Sequence, residues 1–190
     1  MSPILLVILV IIVIALVLMV AMYNGLVQRR LRVSEAWAQI DVQLKRRHDL
    51  VPNLVSAVKG YMGFERRVLE NVTQARAQAV AAGGQGPRAQ AAAEGQLTQA
   101  LRSLFAVAER YPDLKASENV LSLQDQLSTT ENQISSARGA YNASVRTYNT
   151  AIATFPAVLM AGMMGFTPRE FFEAEQAAAE VPTVDLGVGG

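Results

Sequence analysis

Few side chains in this sequence are equipped for covalent or acid–base chemistry. His48 is the only histidine and cysteine is absent. No carboxylates cluster at metal-ligand spacing, so a zinc centre or a cysteine nucleophile has nothing to be built from. Ser117, Ser122 and Ser128 have no histidine partner short of His48 folding onto them. The stretch Gly83-Gly84-Gln85-Gly86-Pro87 follows a helical pattern instead of a strand and lacks the Lys-Ser/Thr ending of a phosphate loop. His48 lies in a basic run beside Pro52 and reads as an ordinary surface residue of a bend. No catalytic, cofactor-binding or metal residue is expected, and the chain reads as non-enzymatic.

What remains are residues suited to contact. Arg29, Arg30 and Arg32 follow a long apolar run within about ten residues and suit an anionic leaflet, where each is worth about 1 kcal/mol. Lys45-Arg46-Arg47 reads either as a solvated helix face or as a contact for anionic lipid, nucleic acid or an acidic partner. With 17 basic and 16 acidic residues the formal charge is +1, which gives no global attraction for nucleic acid, and none is expected as a partner. Tyr141-Asn142 recurs as Tyr148-Asn149 seven residues later. Both asparagines therefore sit on one edge of an apolar seam, either fixing register and partner or serving as polar flank. Asn132 lies in a stretch rich in uncharged polar groups that suits contact with protein. Met160, Met163, Met164 and Phe166 belong to an apolar segment, 157–166, too short to span a bilayer. It either folds back over a bundle end or meets another subunit or the membrane surface.

The elements that must position these residues are helical. Residues 4–22 carry no charge and are nearly all Leu, Ile or Val. At about 1.5 Å per residue they cover roughly 28 Å, close to the hydrocarbon thickness of a bilayer. A transmembrane anchor fits better than a cleaved signal, because Met1-Ser2-Pro3 has no basic start and Ala21-Met22-Tyr23 is a poor cleavage site. The arginines that follow place the rest of the chain in the cytoplasm by the positive-inside rule.

Beyond the anchor, Val33, Trp37, Ile40 and Leu44 repeat at helical spacing, and the same frame runs on to Ala79. Pro52 predicts a kink or break, with helix on both sides. The glycine-rich turn ends this part. A third helix carries Ala93, Leu97, Ala100, Leu104, Val107 and Tyr111 and stops near Pro112, antiparallel to the second. The longest periodic segment runs from Val120 to Phe155, a helix of about 40 residues or roughly 60 Å. Thr167-Pro168-Arg169-Glu170 fits a helix start with Thr167 as cap. The expected fold is all-α: an N-terminal transmembrane helix followed by an elongated antiparallel bundle with long coiled-coil-like helices. Its parts are an anchor at 1–26, a cytoplasmic bundle at 27–180 and a flexible tail at 181–190.

Tyr23-Asn24-Gly25-Leu26, Ala36-Trp37-Ala38-Gln39-Ile40-Asp41-Val42-Gln43-Leu44-Lys45-Arg46-Arg47 and Asp49-Leu50-Val51-Pro52-Asn53-Leu54 resemble the opening of a LemA family protein. Ala106-Val107-Ala108-Glu109-Arg110-Tyr111-Pro112-Asp113-Leu114-Lys115, Thr130-Glu131-Asn132-Gln133-Ile134, the two Tyr-Asn pairs and Phe155-Pro156 follow in the family's order. Gly63-Phe64-Glu65 departs from it, since the family often has His before the Glu. The resemblance implies one anchor and a cytoplasmic helical bundle, and supplies no reaction. It also implies surroundings: some members are encoded near membrane proteases, and some are associated with membrane organelles or envelope stress. The resulting expectation is a single-pass protein of the bacterial inner membrane, its short N-terminus outside. It would self-assemble as a homo-oligomeric scaffold on the lipid bilayer. The alternative is an adaptor for a membrane protease or signalling protein.

Overall fold

The computed structural model describes residues 2–61 and 65–172. These form five α-helices: α1 (Pro3–Lys59), α2 (Arg66–Ala81), α3 (Pro87–Ala108), the short α4 (Pro112–Lys115) and α5 (Glu118–Ala153). A 3₁₀ turn over Ala157–Leu159 follows. No strand occurs among the described residues, so the all-α expectation holds. The tail at 181–190, Met62 and the Gly63-Phe64 pair lie outside the described residues.

Helix α1 contains 57 residues, and its N-terminal part is long and apolar enough to cross a membrane, with none of that stretch buried against protein. The chain divides into two compact units. Among the described residues, unit 1 comprises 2–47 and 129–171, and unit 2 comprises 48–128 with Phe172.

Unit 1 is knit by two heptad-spaced seams. Leu26, Val33, Ile40 and Leu44 are buried on α1, and Ile134, Tyr141, Val145, Tyr148 and Ile152 on α5. Steps of seven, four and three keep one face of each helix turned to its neighbour. The contacts fix an antiparallel register. Arg47 pairs with Glu131 at 3.1 Å, Trp37 packs edge-on against Tyr141 with ring centroids 5.3 Å apart, and Met22 shares a crevice with Phe155. As α1 is followed back toward its apolar end, α5 runs forward to its own C-terminus.

Unit 2 has one continuous aliphatic core, drawing on Val51, Leu54 and Val58 of α1, Leu69 and Val72 of α2, Leu97, Leu101 and Leu104 of α3, Leu114 of α4, and Leu123 and Leu127 of α5. The turn between α2 and α3 needs its glycines: Gly84 and Gly86 have φ of 81° and 103°, values that cost other residues dearly. Pro87 then opens α3, where its missing N–H is no loss.

Three local expectations are corrected. Helix α1 continues through Pro52 without a break and ends at Lys59, beside Gly60; the interruption falls between Lys59 and Arg66. Pro52 cannot donate to the carbonyl of His48, and the Arg76 Nε–H of α2 donates to that oxygen at 2.6 Å instead. Residues 166–172 are not helical, so Thr167 caps nothing within the described residues. Finally, His48 is no surface residue. Its side chain is 12 % exposed and bonded within the unit.

Candidate functional site

Three arrangements gather the polar side chains. The first lies in unit 2 beside Pro52. His48 Nε2 and Glu94 Oε1 are 2.7 Å apart, and the amide of Gln90 donates to the same carboxylate oxygen at 2.9 Å and to the Ala79 carbonyl at 3.2 Å. Glu94 and Gln90 are each 4 % exposed. They continue the apolar seam of α3 at the same spacing as Leu97 and Leu101, so the helix delivers two polar groups into the core and His48 satisfies one of them. Sequence inspection missed Glu94, Gln90 and Arg76. A Gln-x-x-x-Glu step leading directly into a leucine seam was the available signal.

The second arrangement is in unit 1. The segment after residue 166 runs alongside α5 and is held through its backbone. Tyr148 donates its hydroxyl to the Thr167 carbonyl at 3.0 Å and Tyr141 to the Glu170 carbonyl at 2.8 Å. Asn149 accepts from the Arg169 N–H at 2.8 Å and donates to the Arg169 carbonyl at 2.9 Å. This two-point contact is what an Asn amide offers an extended peptide. It leaves residue 169 unable to enter a helix. Burial raises the Tyr141 phenol above its ordinary value, with the Arg169 charge opposing and the Glu170 charge adding. Desolvation likewise raises the Asp41 carboxyl, against a hydrogen bond with Trp37 that lowers it.

The third arrangement lies where the apolar stretch of α1 ends. Phe166 is buried, its ring edge-on to Tyr23 at 5.5 Å and under the Arg30 guanidinium at 5.3 Å. Arg29 donates to the Gly25 carbonyl at 3.2 Å, and Arg32 is exposed. An open crevice of about 600 Å³ has Ala21, Met22 and Leu26 on one side and Ala151, Phe155 and Pro156 on the other. Arg29 and Arg146 also line it. Of the three sequence-predicted arginines, Arg30 thus meets Phe166, Arg29 lines the crevice, and Arg32 shares a separate recess with Arg29. Met160 and Met164 are half-buried near them in sequence, whereas Met163 is 89 % exposed. Ala157 and Ala161 are buried with Phe166, so the segment 157–166 folds onto unit 1 through residues four and five positions apart.

The other candidates are placed apart. Asn132 is exposed on α5 and Asn142 is half-buried. Arg47, read with Lys45 and Arg46 as a solvated face or a contact for an anionic partner, is 3 % exposed and paired with Glu131, while Lys45 and Arg46 remain exposed. A crevice of about 400 Å³ between α2 and α3 is lined by Asn71, Gln74, Gln78, Gln96, Gln99 and Ser103, side chains that hydrogen-bond but do not titrate near neutral pH. No group of three metal-ligating side chains occurs among the described residues.

These features define an all-helical protein whose first helix is a candidate membrane anchor and whose buried polar side chains, Arg47, Gln90, Glu94 and Thr130, are few. Residues 36–186 match the model of the LemA family, and the chain belongs to that family. Among the curated proteins no match is found.

Proposed function

We propose that the chain is a non-enzymatic, single-pass scaffold of a bacterial inner membrane, with the residues after the anchor on the cytoplasmic side and copies associating side by side through α1. The observation that carries this reading is α1 itself. One helix leads from an apolar stretch into the seam of unit 1, and its other face keeps Leu31, Ala38 and Val42 exposed. Leu31 and Val42 retain 54 % and 60 % of their surface. Steps of seven and four put these three on one stripe. A membrane holds this helix in the same orientation in every copy, so a weak parallel contact gains effective concentration. The exposed polar run around Asn132 adds uncharged surface to such a contact. Arg29, Arg30 and Arg32 beyond the span support the cytoplasmic placement.

Mass measurement of the full chain in nanodiscs or mild detergent tests the assembly. Native protein is expected above monomer mass, and Leu31→Glu with Val42→Glu is expected to give a helical monomer. A native monomer across a wide concentration range overturns the reading. The sequence has no cysteine, so single cysteines at Ser2 and Ala38 report the topology. Labelling of Ala38→Cys from outside intact cells would reverse it.

A further inference from the structure

The end of α5 and the turn after it lie level with the end of the apolar span, and their outer surface is uncovered. The register within unit 1 fixes this level. Trp37 meets Tyr141, Arg29 shares a recess with Thr147, and Ala21 and Met22 share the crevice with Thr154 and Phe155. The next residues therefore stand beside the point where α1 leaves the hydrocarbon. Tyr23, a residue type that favours the bilayer interface, touches Phe166 there.

The surface presented at this level is apolar. Phe155 is 80 % exposed, Leu159 67 % and Met163 89 %, with Val158 at half. No charged side chain occurs from Thr147 to Pro168. Its inner residues, Ala157, Ala161 and Phe166, are buried against unit 1, so the outer ones are a second face and not an unpacked core. Charge borders it on the side away from the span. Arg29 and Arg146 line the same crevice whose other walls are Met22, Leu26, Ala151 and Phe155. Apolar walls leading to two guanidiniums match a phospholipid, acyl chain toward the span and phosphate toward the arginines.

We propose that residues 155–163 form a second membrane contact, inserting Phe155, Val158, Leu159 and Met163 into the interface of the leaflet where α1 emerges, with Arg29 and Arg146 taking the phosphate of an anionic lipid. This rests on the reading of the apolar stretch of α1 as a membrane span. The occupant follows from continuity: the patch adjoins the lipid-facing surface of α1 and is oriented by the same helix. Two points of attachment fix how unit 1 stands on the bilayer, which one helix alone leaves free to tilt.

The test uses the full chain, with Trp37→Phe to remove the native indole, reconstituted in vesicles of phosphatidylcholine and phosphatidylglycerol that include lipids brominated high on the acyl chain. Single reporters are Val13→Trp in the span, Phe155→Trp and Met163→Trp in the patch, and Ala38→Trp on the exposed stripe. Phe155→Trp and Met163→Trp are expected to lose emission to the brominated lipid well beyond the loss at Ala38→Trp, and to be shielded from aqueous iodide. Replacing Arg29 and Arg146 with Gln is expected to abolish the extra quenching that phosphatidylglycerol gives over phosphatidylcholine alone. Quenching at Val13→Trp without quenching at the patch overturns this inference and leaves the span intact. Absence of quenching at Val13→Trp overturns both. Shielding of the patch reporters from bromine and iodide alike means a protein cover, which also overturns it.

Discussion

In unit 2 the polar groups taken from water hold helix to helix: the His48 side chain joins α1 to Glu94 of α3 and Arg76 of α2 donates to the His48 carbonyl, inside a core otherwise built from Leu, Val and Ala. In unit 1 Tyr141, Tyr148 and Asn149 reach backbone atoms of an extended segment, and the core carries rings at Trp37, Tyr141, Tyr148 and Phe166. The difference lies in what each contact demands of its partner. A buried carboxylate among aliphatic side chains needs one particular group, whereas a backbone carbonyl or N–H accepts whatever residue carries it. Unit 2 should accordingly be sensitive to the identity of a few side chains, and the 167–170 segment of unit 1 to the tyrosines and Asn149 but not to its own sequence.

The largest expected effect breaks the helix-to-helix arrangement. His48→Leu removes the imidazole that meets the buried Glu94 carboxylate, and removing one member of such a buried pair costs about 3 kcal/mol or more. Urea unfolding measures the loss, and amide exchange should place most of it in α2 and α3. Adding Glu94→Leu is expected to recover much of the stability, because the buried carboxylate that lost its imidazole contact is gone as well. If His48→Leu alone leaves the unfolding midpoint where it was, the network does not hold the helices and the contrast between the units fails.

Why this network escaped the sequence is a matter of range. Periodicity reports which residues of one helix share a face, and it placed Leu97 and Leu104 of α3, Ile134, Tyr141 and Tyr148 of α5, and the turn at Gly83 to Pro87 correctly. It says nothing of a partner on another helix. Pro52 reads as a helix breaker because its lost hydrogen bond is visible locally, while the substitute donor, Arg76, is twenty-four positions away. The pattern that begins at Thr167 failed for the same reason: its capping signal is sound alone, but Asn149 binds both backbone groups of Arg169 and holds it extended. The repeated Tyr-Asn pair was visible as a special feature of α5. Its use on the chain's own segment was not, since nothing in the spacing distinguishes a seam edge from a backbone clamp.

A smaller effect sharpens the other half of the contrast. Asn149→Leu removes two hydrogen bonds that are partly open to solvent, and about 1 kcal/mol is expected in total. The loss should be local. Amide exchange and proteolysis near Arg169 should quicken, with the protection of α2 and α3 unchanged. Replacing Arg169 with Ala retains the backbone groups and should cost less than Asn149→Leu. The reverse ranking would mean that side-chain recognition governs this segment as it does in unit 2.

The smallest effect is seen only at alkaline pH, and it isolates one contact of that segment. Tyr141 donates its proton to the Glu170 carbonyl, and burial holds its phenol above the ordinary value of 10.0. The folded chain therefore binds this proton more tightly than the unfolded chain does. The stability it contributes is complete below pH 10, declines as pH rises from there, and is lost once pH passes the raised native value. Tyr141→Phe has no proton to lose. At neutral pH it should be less stable by about 1 kcal/mol for the missing hydrogen bond. That gap should narrow as pH climbs above 10, because the unfolded chain with Tyr141 ionises there while the folded chain holds the phenol neutral, and the Phe variant has no such loss. Unfolding midpoints of the two proteins taken along that climb test the point. A gap that stays constant would show that the hydroxyl packs against the segment without holding it.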